Sequence, residues 1–404
     1  MANEIILIIG GGIAALTAAE AARDTSGDAE ITLYYGEPVL PYNRMNLTRY
    51  IAGEVGAEEL NLRDAEWYAQ RRIRMVHGIV ASLDRKGRVA TLETGAQVKY
   101  DRLIIATGSS PFIPPIPGTE IDGVMALRTL QDADTILRRA KPGIRTVCIG
   151  GGLLGIELAA GLNKLGAKVT VLEGFGWLLP RQLAPKASAV LKSKIESLGI
   201  DVRCGEKIAR ILGGAKVAGV ELESGETLDS EAVLISAGVR PNLAVPKEAG
   251  LDVGKGLTVD DRMATSDPDI FGAGDVTEHR GVVYGLWPAA LEQGRVAGIN
   301  AAGGSGTFKG MAPSTFLKVA GVDVFSTGDF MPKGDNVNLI EKAEGGTYSL
   351  LAIRDGIPVG ANLVGDVSAA ITVKNAVAKA RPALDTPRLL ELFPGLASEL
   401  RGTE

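Results

Sequence analysis

An α/β chain with two dinucleotide-binding domains is what this sequence predicts, and two near-repeats carry the prediction. Ile5-Ile6-Leu7-Ile8-Ile9 runs into Gly10-Gly11-Gly12, and Arg145-Thr146-Val147-Cys148-Ile149 runs into Gly150-Gly151-Gly152. Each is an apolar run of the length of a buried parallel strand, followed by glycines and then a helical stretch. A third observation is the change of character from Ala312 on, where alternating stretches such as Val337 to Ile340 suit a half-exposed antiparallel sheet. The expected fold is two Rossmann-like, three-layer domains plus a small C-terminal α+β domain. Two copies of the turn imply two dinucleotides, with electrons passing between them.

Composition sets outer limits. The chain has 404 residues, enough for two or three cores. Its 52 glycines accompany a high apolar content, which suits tight βα turns better than disorder. A net charge of -5 gives no reason to expect nucleic acid. The two cysteines, Cys148 and Cys204, form neither C-x-x-C nor C-x4-C, which argues for a reducing compartment and against a disulfide scaffold or a redox-active dithiol. With only His77 and His279, no metal site is expected. Met1 to Glu4 lacks a basic region, and the first apolar run stops at a glycine. No signal peptide or membrane span is expected, and the cytoplasm is the default location.

At the first turn, Gly10-x-Gly12-x-x-Ala15 opens a helix reaching about Arg23. Gly10 allows the tight turn, Gly12 admits a pyrophosphate to the backbone, and Ala15 lets helix and strand pack closely. The phosphates would sit at the positive helix N-terminus. After the strand Ile31 to Tyr35, an acid normally takes the ribose hydroxyls. Tyr35 holds that position by register with the second copy, so Glu37, two places on, is the candidate; a solvated loop carboxylate is the alternative. Further on, a helix running into Arg71-Arg72-Ile73 is expected, then strands Val76 to Ser82 and Val89 to Leu92, then an apolar strand ending at Ala106-Thr107-Gly108-Ser109.

Pro41-Tyr42-Asn43-Arg44, Leu62 to Tyr68 and Ala106 to Ser109 together resemble motifs of the FAD-dependent pyridine nucleotide oxidoreductases. The likeness is to the branch of NADH–rubredoxin and ferredoxin reductases and the flavin module of assimilatory nitrite reductase, and it spans nearly the whole chain. It implies FAD at the first turn, held by Gly10, Gly12, Ala15, Arg44, Ala106, Thr107 and Gly108.

Four prolines between Pro111 and Pro117 make a stiff connector to the second domain. A helix from about Leu130 to Arg139 is expected, and Gly150-x-Gly152-x-x-Gly155 then opens a helix to about Leu165. The next strand, Lys168 to Leu172, ends at Glu173, the ribose acid of this site. No cation follows until Arg181, and a carboxylate repels a 2′-phosphate, so NADH is expected over NADPH. Glu157 falls close behind Gly155 and is read in the first helical turn, facing the nucleotide; a solvated helix residue is the alternative. In the resembled branch a glutamate here pairs with a lysine near the flavin, five places after P-Y-x-R. That place is Arg49, whose guanidinium keeps the charge but cannot deprotonate, so an electrostatic Arg49–Glu157 pair is expected.

A helix at Leu191 to Leu198 and five short strands from Asp201 to Ile235 follow. Gly238-Val239-Arg240-Pro241-Asn242 resembles the family turn at which the chain crosses back to the FAD domain. Ile270 to Val276 ends in small residues and Asp275, which the resemblance places on the FAD ribityl hydroxyls; a loop cap is the alternative. Pro288 fits a first helical position, with Trp287 either stacked near the flavin or part of the core. Lys318 is a candidate to face flavin or acceptor. The expected division is 1–112 and 240–311 for the FAD domain, 113–239 for the NAD domain, and 312–404 for a C-terminal domain that covers the flavin or forms a homodimer contact.

The resemblance implies an FAD-containing, NADH-dependent oxidoreductase that passes electrons to a small redox protein such as rubredoxin or ferredoxin. Without C-x4-C, dithiol substrates are not expected. Without a cysteine before the Pro41-Tyr42 turn, neither is peroxidase or coenzyme A disulfide chemistry. The rival readings are an NADH oxidase or diaphorase, the flavin subunit of a nitrite reductase-type complex (residues 1–404 carry no siroheme domain, so these residues alone are not expected to reduce nitrite), and a redox-responsive binding protein similar to apoptosis-inducing factor.

Overall fold

Ile5–Ile9 offers no polar side chain to water, and Arg145–Ile149 is buried beyond its exposed first residue, so each becomes the middle strand of a parallel sheet. The computed structural model describes residues 3–311, 314–382 and 387–393; Ala312 lies outside them. The chain forms two compact units, one of Met1–Tyr50, Val55–Phe112 and Val239–Met311, the other of Ile51–Glu54, Ile113–Gly238 and Ala312–Glu404.

In the first unit the sheet order is Ile270–Gly272, Arg102–Ile105, Ile5–Ile9, Glu30–Tyr35, Ile73–His77, all parallel. Ile6, Leu7 and Ile8 have no exposed surface. The order reverses direction between Ile5–Ile9 and Arg102–Ile105, and in such sheets a ligand crevice opens outside the strand ends at that point. Helices Ile13–Thr25 and Trp287–Ala301 pack on each other through small residues. A Cβ on Gly294 would stand 2.4 Å from the Ala14 carbonyl oxygen, and one on Gly298 2.2 Å from that of Ala18. The Thr17 hydroxyl donates across the pair to the Leu291 carbonyl at 3.2 Å. This unit also holds a three-stranded antiparallel sheet, Val80–Asp84, Val89–Leu92 and Gln97–Lys99, the antiparallel pair Ser109–Pro111 and Val239–Pro241, and the parallel pair Leu257–Val259 and Thr277–His279.

The second unit repeats the parallel sheet as Asp201–Cys204, Lys168–Glu173, Arg145–Ile149, Ala232–Ile235, Val124–Ala126. Its helix Leu130–Arg139 starts at a capping box between Thr129 and Asp132. The antiparallel strands Ile208–Gly213, Val217–Leu222 and Thr227–Asp229 lie beyond it in sequence. The C-terminal segment forms a five-stranded antiparallel sheet in the order Ser314–Val319, Val322–Gly328, Ile357–Val364, Thr347–Arg354, Val337–Glu344. Helix Pro185–Glu196 packs against two of its strands, Thr347–Arg354 and Ile357–Val364. Helix Ala370–Lys379 packs against Ile357–Val364 and Val322–Gly328.

Four local expectations are corrected. Asp64 accepts from the Trp67 amide and starts the helix at Ala65, which ends at Gln70, so Ile73 opens a strand. The expected strand Val76 to Ser82 is two strands interrupted at Gly78-Ile79. The helix expected from Leu191 begins at Pro185, whose ring suits the first helical position. Trp287, not Pro288, is the first residue of its helix.

Replacing Gly298 by Ala is expected to cost about 1–3 kcal/mol through overpacking against the Ala18 carbonyl. Gly27→Ala, where a Cβ would meet nothing within 4 Å, should stay within about 0.5 kcal/mol of the parent. Urea unfolding of the two variants checks this.

Candidate functional site: two nucleotide turns

The two glycine turns are built on the same three backbone contacts. Gly10 N–H donates to the Tyr34 carbonyl and Gly150 N–H to the Leu172 carbonyl, both at 2.8 Å. Ala106 N–H donates to the Ile9 carbonyl and Ser236 N–H to the Ile149 carbonyl, again both at 2.8 Å. A Cβ on Gly10 would lie 2.0 Å from the Ala106 carbonyl oxygen, and one on Gly150 2.3 Å from that of Ser236. Gly10 at φ +142° and Gly150 at φ +112° are also in backbone conformations that disfavour other residues. Gly155 packs as tightly as Gly10, since its Cβ would stand 2.0 Å from the Gly150 carbonyl oxygen; Ala15, fully buried, fills the matching place in the first unit.

Gly12 and Gly152 are the N-caps of helices Ile13–Thr25 and Leu153–Lys164. Neither helix start is capped by a side chain, and neither carries an acid in its first turn. A Cβ on Gly12 or Gly152 would meet nothing within 4 Å. Two positive helix ends therefore face open space over glycine, which is the chemistry a pyrophosphate needs.

Around the first turn the structure gathers segments far apart in sequence. Asp275 accepts from the Ser109 hydroxyl at 3.0 Å. Asn242, directly after Val239–Pro241, donates from its side chain to the Thr107 carbonyl at 2.8 Å and from its backbone to the Gly108 carbonyl at 3.0 Å. Gly274, at φ +81°, donates to the buried Gln293 side chain at 2.9 Å, which also accepts from Thr277. The Thr107 hydroxyl oxygen and the Gln293 amide nitrogen are both buried without a partner. Buried polar groups are rarely left so, and two orphans beside this turn fit a bound polar ligand. Glu37 is joined to Arg44 by an ion pair and accepts from the Tyr42 hydroxyl at 2.7 Å, so these predicted site residues are brought together. Trp287 is half-buried at its helix start. Asn242 and Gln293 were not singled out by the sequence; the only signals were the residue closing G-x-x-P-N and an amide on an otherwise small-residue helix face.

Around the second turn, Glu173 is 7% exposed. One carboxylate oxygen accepts from Gly151 N–H and the other from Phe175 N–H, each at 2.7 Å. Gly238, at φ +97°, ends the 113–238 segment of this unit. Glu157 is the fifth residue of its helix, so it lies just past the first turn where it was expected. It accepts from Ala320 N–H at 2.9 Å, the tip of the hairpin joining Ser314–Val319 to Val322–Gly328. Burial holds its carboxyl above the usual range, the Ala320 hydrogen bond offsets part of this, and repulsion from Glu54 adds to it. Arg49 is exposed on the short helix Leu47–Ile51 of the first unit, and Lys318 is exposed on its strand. Cys148 is buried in a strand with its thiol pushed up to about 12 by desolvation. The strand Lys168–Glu173 separates its strand from that of Cys204, so the cysteines form no dithiol.

Twin turns of this kind, one wrapped by four distant segments and one closed by a single acid and its loop, define an oxidoreductase that handles two dinucleotides. The chain belongs to the pyridine nucleotide-disulphide oxidoreductase family, whose pattern matches residues 5–294, and residues 313–381 match the rubredoxin NAD+ reductase C-terminal domain. The NADH-rubredoxin oxidoreductase of Clostridium acetobutylicum is 31% identical, over 93% of this chain and 95% of that protein. Its crystal structure superimposes with a TM-score of 0.81, covering 95% of this chain and 97% of that one. The putidaredoxin reductase in a covalent complex with putidaredoxin gives 0.87 at 27% identity, covering 99% of both chains. A Bacillus subtilis nitrite reductase [NAD(P)H] is 33% identical over 98% of this chain but only 49% of its own length. The chain spans about half or less of the first three curated relatives it matches.

Because ionising Glu157 is harder in the folded chain, stability is expected to fall as pH rises from the ordinary carboxylate value, about 4.3, through its higher folded value. Glu157→Gln should remove that part of the fall. Denaturant midpoints measured between about pH 4 and 7 check it.

Proposed function

We propose that this chain is an NADH-dependent flavoenzyme that delivers electrons to a small redox protein of the rubredoxin or ferredoxin kind. The observation that supports it most is the pair of matched turns with unlike surroundings, in a chain with no dithiol to carry electrons onward. FAD, when bound, supplies the conversion of a two-electron donor into one-electron steps. Gly10, Gly12, Ala15, Glu37, Arg44, Ala106, Thr107, Gly108, Asp275 and Trp287 hold it. NADH occupies the turn from Gly150 through Gly152 to Gly155, with Glu173 oriented toward the ribose by its two backbone amides. Gly238 marks the return of the chain to the flavin segment. On this reading 1–112 and 240–311 form the flavin domain, 113–239 the nucleotide domain and 312–404 the C-terminal domain.

Glu157 and Arg49 are the charged side chains assigned to hydride transfer on this reading. The desolvated Glu157 carboxyl is held at one oxygen by Ala320 N–H, so its charge is fixed in place. The cysteine pattern fits a cytoplasmic setting. Among the described residues no helix is long and apolar enough to cross a membrane. A homodimer remains part of the reading, and sedimentation equilibrium decides it.

Stopped-flow mixing of the FAD-loaded protein with NADH, then with rubredoxin, ferredoxin, a quinone or oxygen, is the deciding experiment. Rapid flavin bleaching by NADH and fast reoxidation by one of the redox proteins is the expected result. Reoxidation by oxygen alone would indicate an oxidase, and a slow charge-transfer complex with every acceptor would indicate a redox-responsive binding protein. Glu157→Gln should slow bleaching by about tenfold or more with FAD content unchanged. An unchanged rate would remove Glu157 from the reaction.

A further inference from the structure

Asn362 is a fully buried amide in the middle of a strand, Ile357–Val364, that lies at the centre of the C-terminal sheet. A polar side chain in such a place must find partners. It finds them outside its own sheet. Its oxygen accepts from Ala184 N–H at 2.6 Å, and its nitrogen donates to the Gln182 carbonyl at 2.9 Å. Its one bond within the strand goes to the Ala361 carbonyl at 3.0 Å.

Gln182 and Ala184 close the loop that begins after Glu173, and this loop is knitted from end to end. Phe175 N–H holds one Glu173 oxygen. The Trp177 indole N–H donates to the Leu183 carbonyl at 2.9 Å. Gln182 and Leu183 N–H both donate to the Leu179 carbonyl at 2.8 Å. Leu179 N–H in turn donates to the Gly151 carbonyl at 3.0 Å. Leu178, Leu179 and Leu183 are fully buried, and Leu179 sits at φ +50°, a conformation that a non-glycine residue keeps only when its surroundings impose it. Gly151 is the central glycine of the second turn, and its own N–H holds the other Glu173 oxygen. A continuous path of hydrogen bonds therefore joins Asn362 to the peptide and the carboxylate of the nucleotide turn.

We propose that Asn362 is a positioning residue for the dinucleotide site of the second unit. It fixes the far end of the 174–184 loop, and through Leu179 it fixes the Gly151 peptide and the orientation of Glu173. The C-terminal sheet thereby sets nucleotide affinity without touching the nucleotide. This rests on the reading of that turn as the NADH site.

The test compares Asn362→Ala with Ser326→Ala, a buried polar residue cross-strand from Asn362 on Val322–Gly328. Both are FAD-loaded full chains. Calorimetric titration with NAD+, the NADH dependence of flavin bleaching, and hydrogen exchange of the loop amides are measured. Asn362→Ala is expected to weaken NAD+ binding and raise the half-saturating NADH concentration by about tenfold, with the limiting bleaching rate and FAD content kept. Exchange at Leu179 and Ala184 should rise, while Ser326→Ala leaves all of these at parent values. Unchanged NAD+ affinity in Asn362→Ala, or an equal loss in Ser326→Ala, overturns the proposal. If Asn362→Ala does not fold, Asn362→Ser, whose single shorter hydroxyl cannot hold both Ala184 N–H and the Gln182 carbonyl, must show the same direction of change, and parent-like affinity in it overturns the proposal too. A parent protein that binds no NAD+ and is not bleached by NADH would instead overturn the reading of the turn itself.

Discussion

The whole arrangement depends on two parallel strands ending close enough for backbone to touch backbone. At the point where the strand order of each sheet reverses, a glycine α-carbon lies against the carbonyl of the residue just after the neighbouring strand, Gly10 on Ala106 and Gly150 on Ser236. Any side chain there would push the strand ends apart and turn the following helix away from the crevice. Because the contact is made by backbone, it sets the direction of the next helix with little help from side chains. The helix ends therefore arrive uncapped and facing outward.

What differs between the copies is what surrounds this shared contact. The first turn is tied by Ser109 to Asp275, by Asn242 to Thr107 and Gly108, and by Gln293 to Gly274. Those residues come from four stretches of chain, and the bonds leave two buried polar atoms to be satisfied. Such a site favours a ligand that stays. The second turn is closed by Glu173 and one loop. A site completed by one loop suits a nucleotide that enters and leaves in each cycle.

The strands and both turns were legible in the sequence because their signals are local. An apolar run, glycines at fixed spacing and an acid at the next strand end each declare themselves within about 30 residues. Helix limits were less legible where a single residue decides them. Asp64 starts one helix and Pro185 another, and neither interrupts the pattern that follows. The supporting bonds were not legible at all. Asn242, Gln293, Asn362 and the Ala320 amide act on segments distant in sequence or through backbone atoms that carry no residue identity. No periodicity or spacing marks a side chain whose partner is a carbonyl more than 100 positions away.

One feature of the second unit bears on how such chains can be recombined. Helix Pro185–Glu196 packs on the C-terminal sheet, and the hairpin tip at Ala320 reaches Glu157. In sequence the C-terminal segment is a separate block that could be cut and exchanged at residue 312. In space it packs against a helix of the nucleotide segment and completes that segment's hydrogen bonding. A chimaera joined at that boundary would inherit a half-buried carboxylate without its donor and a loop without its anchor. The two segments are therefore expected to diverge as one inherited unit, with compensating changes crossing the junction.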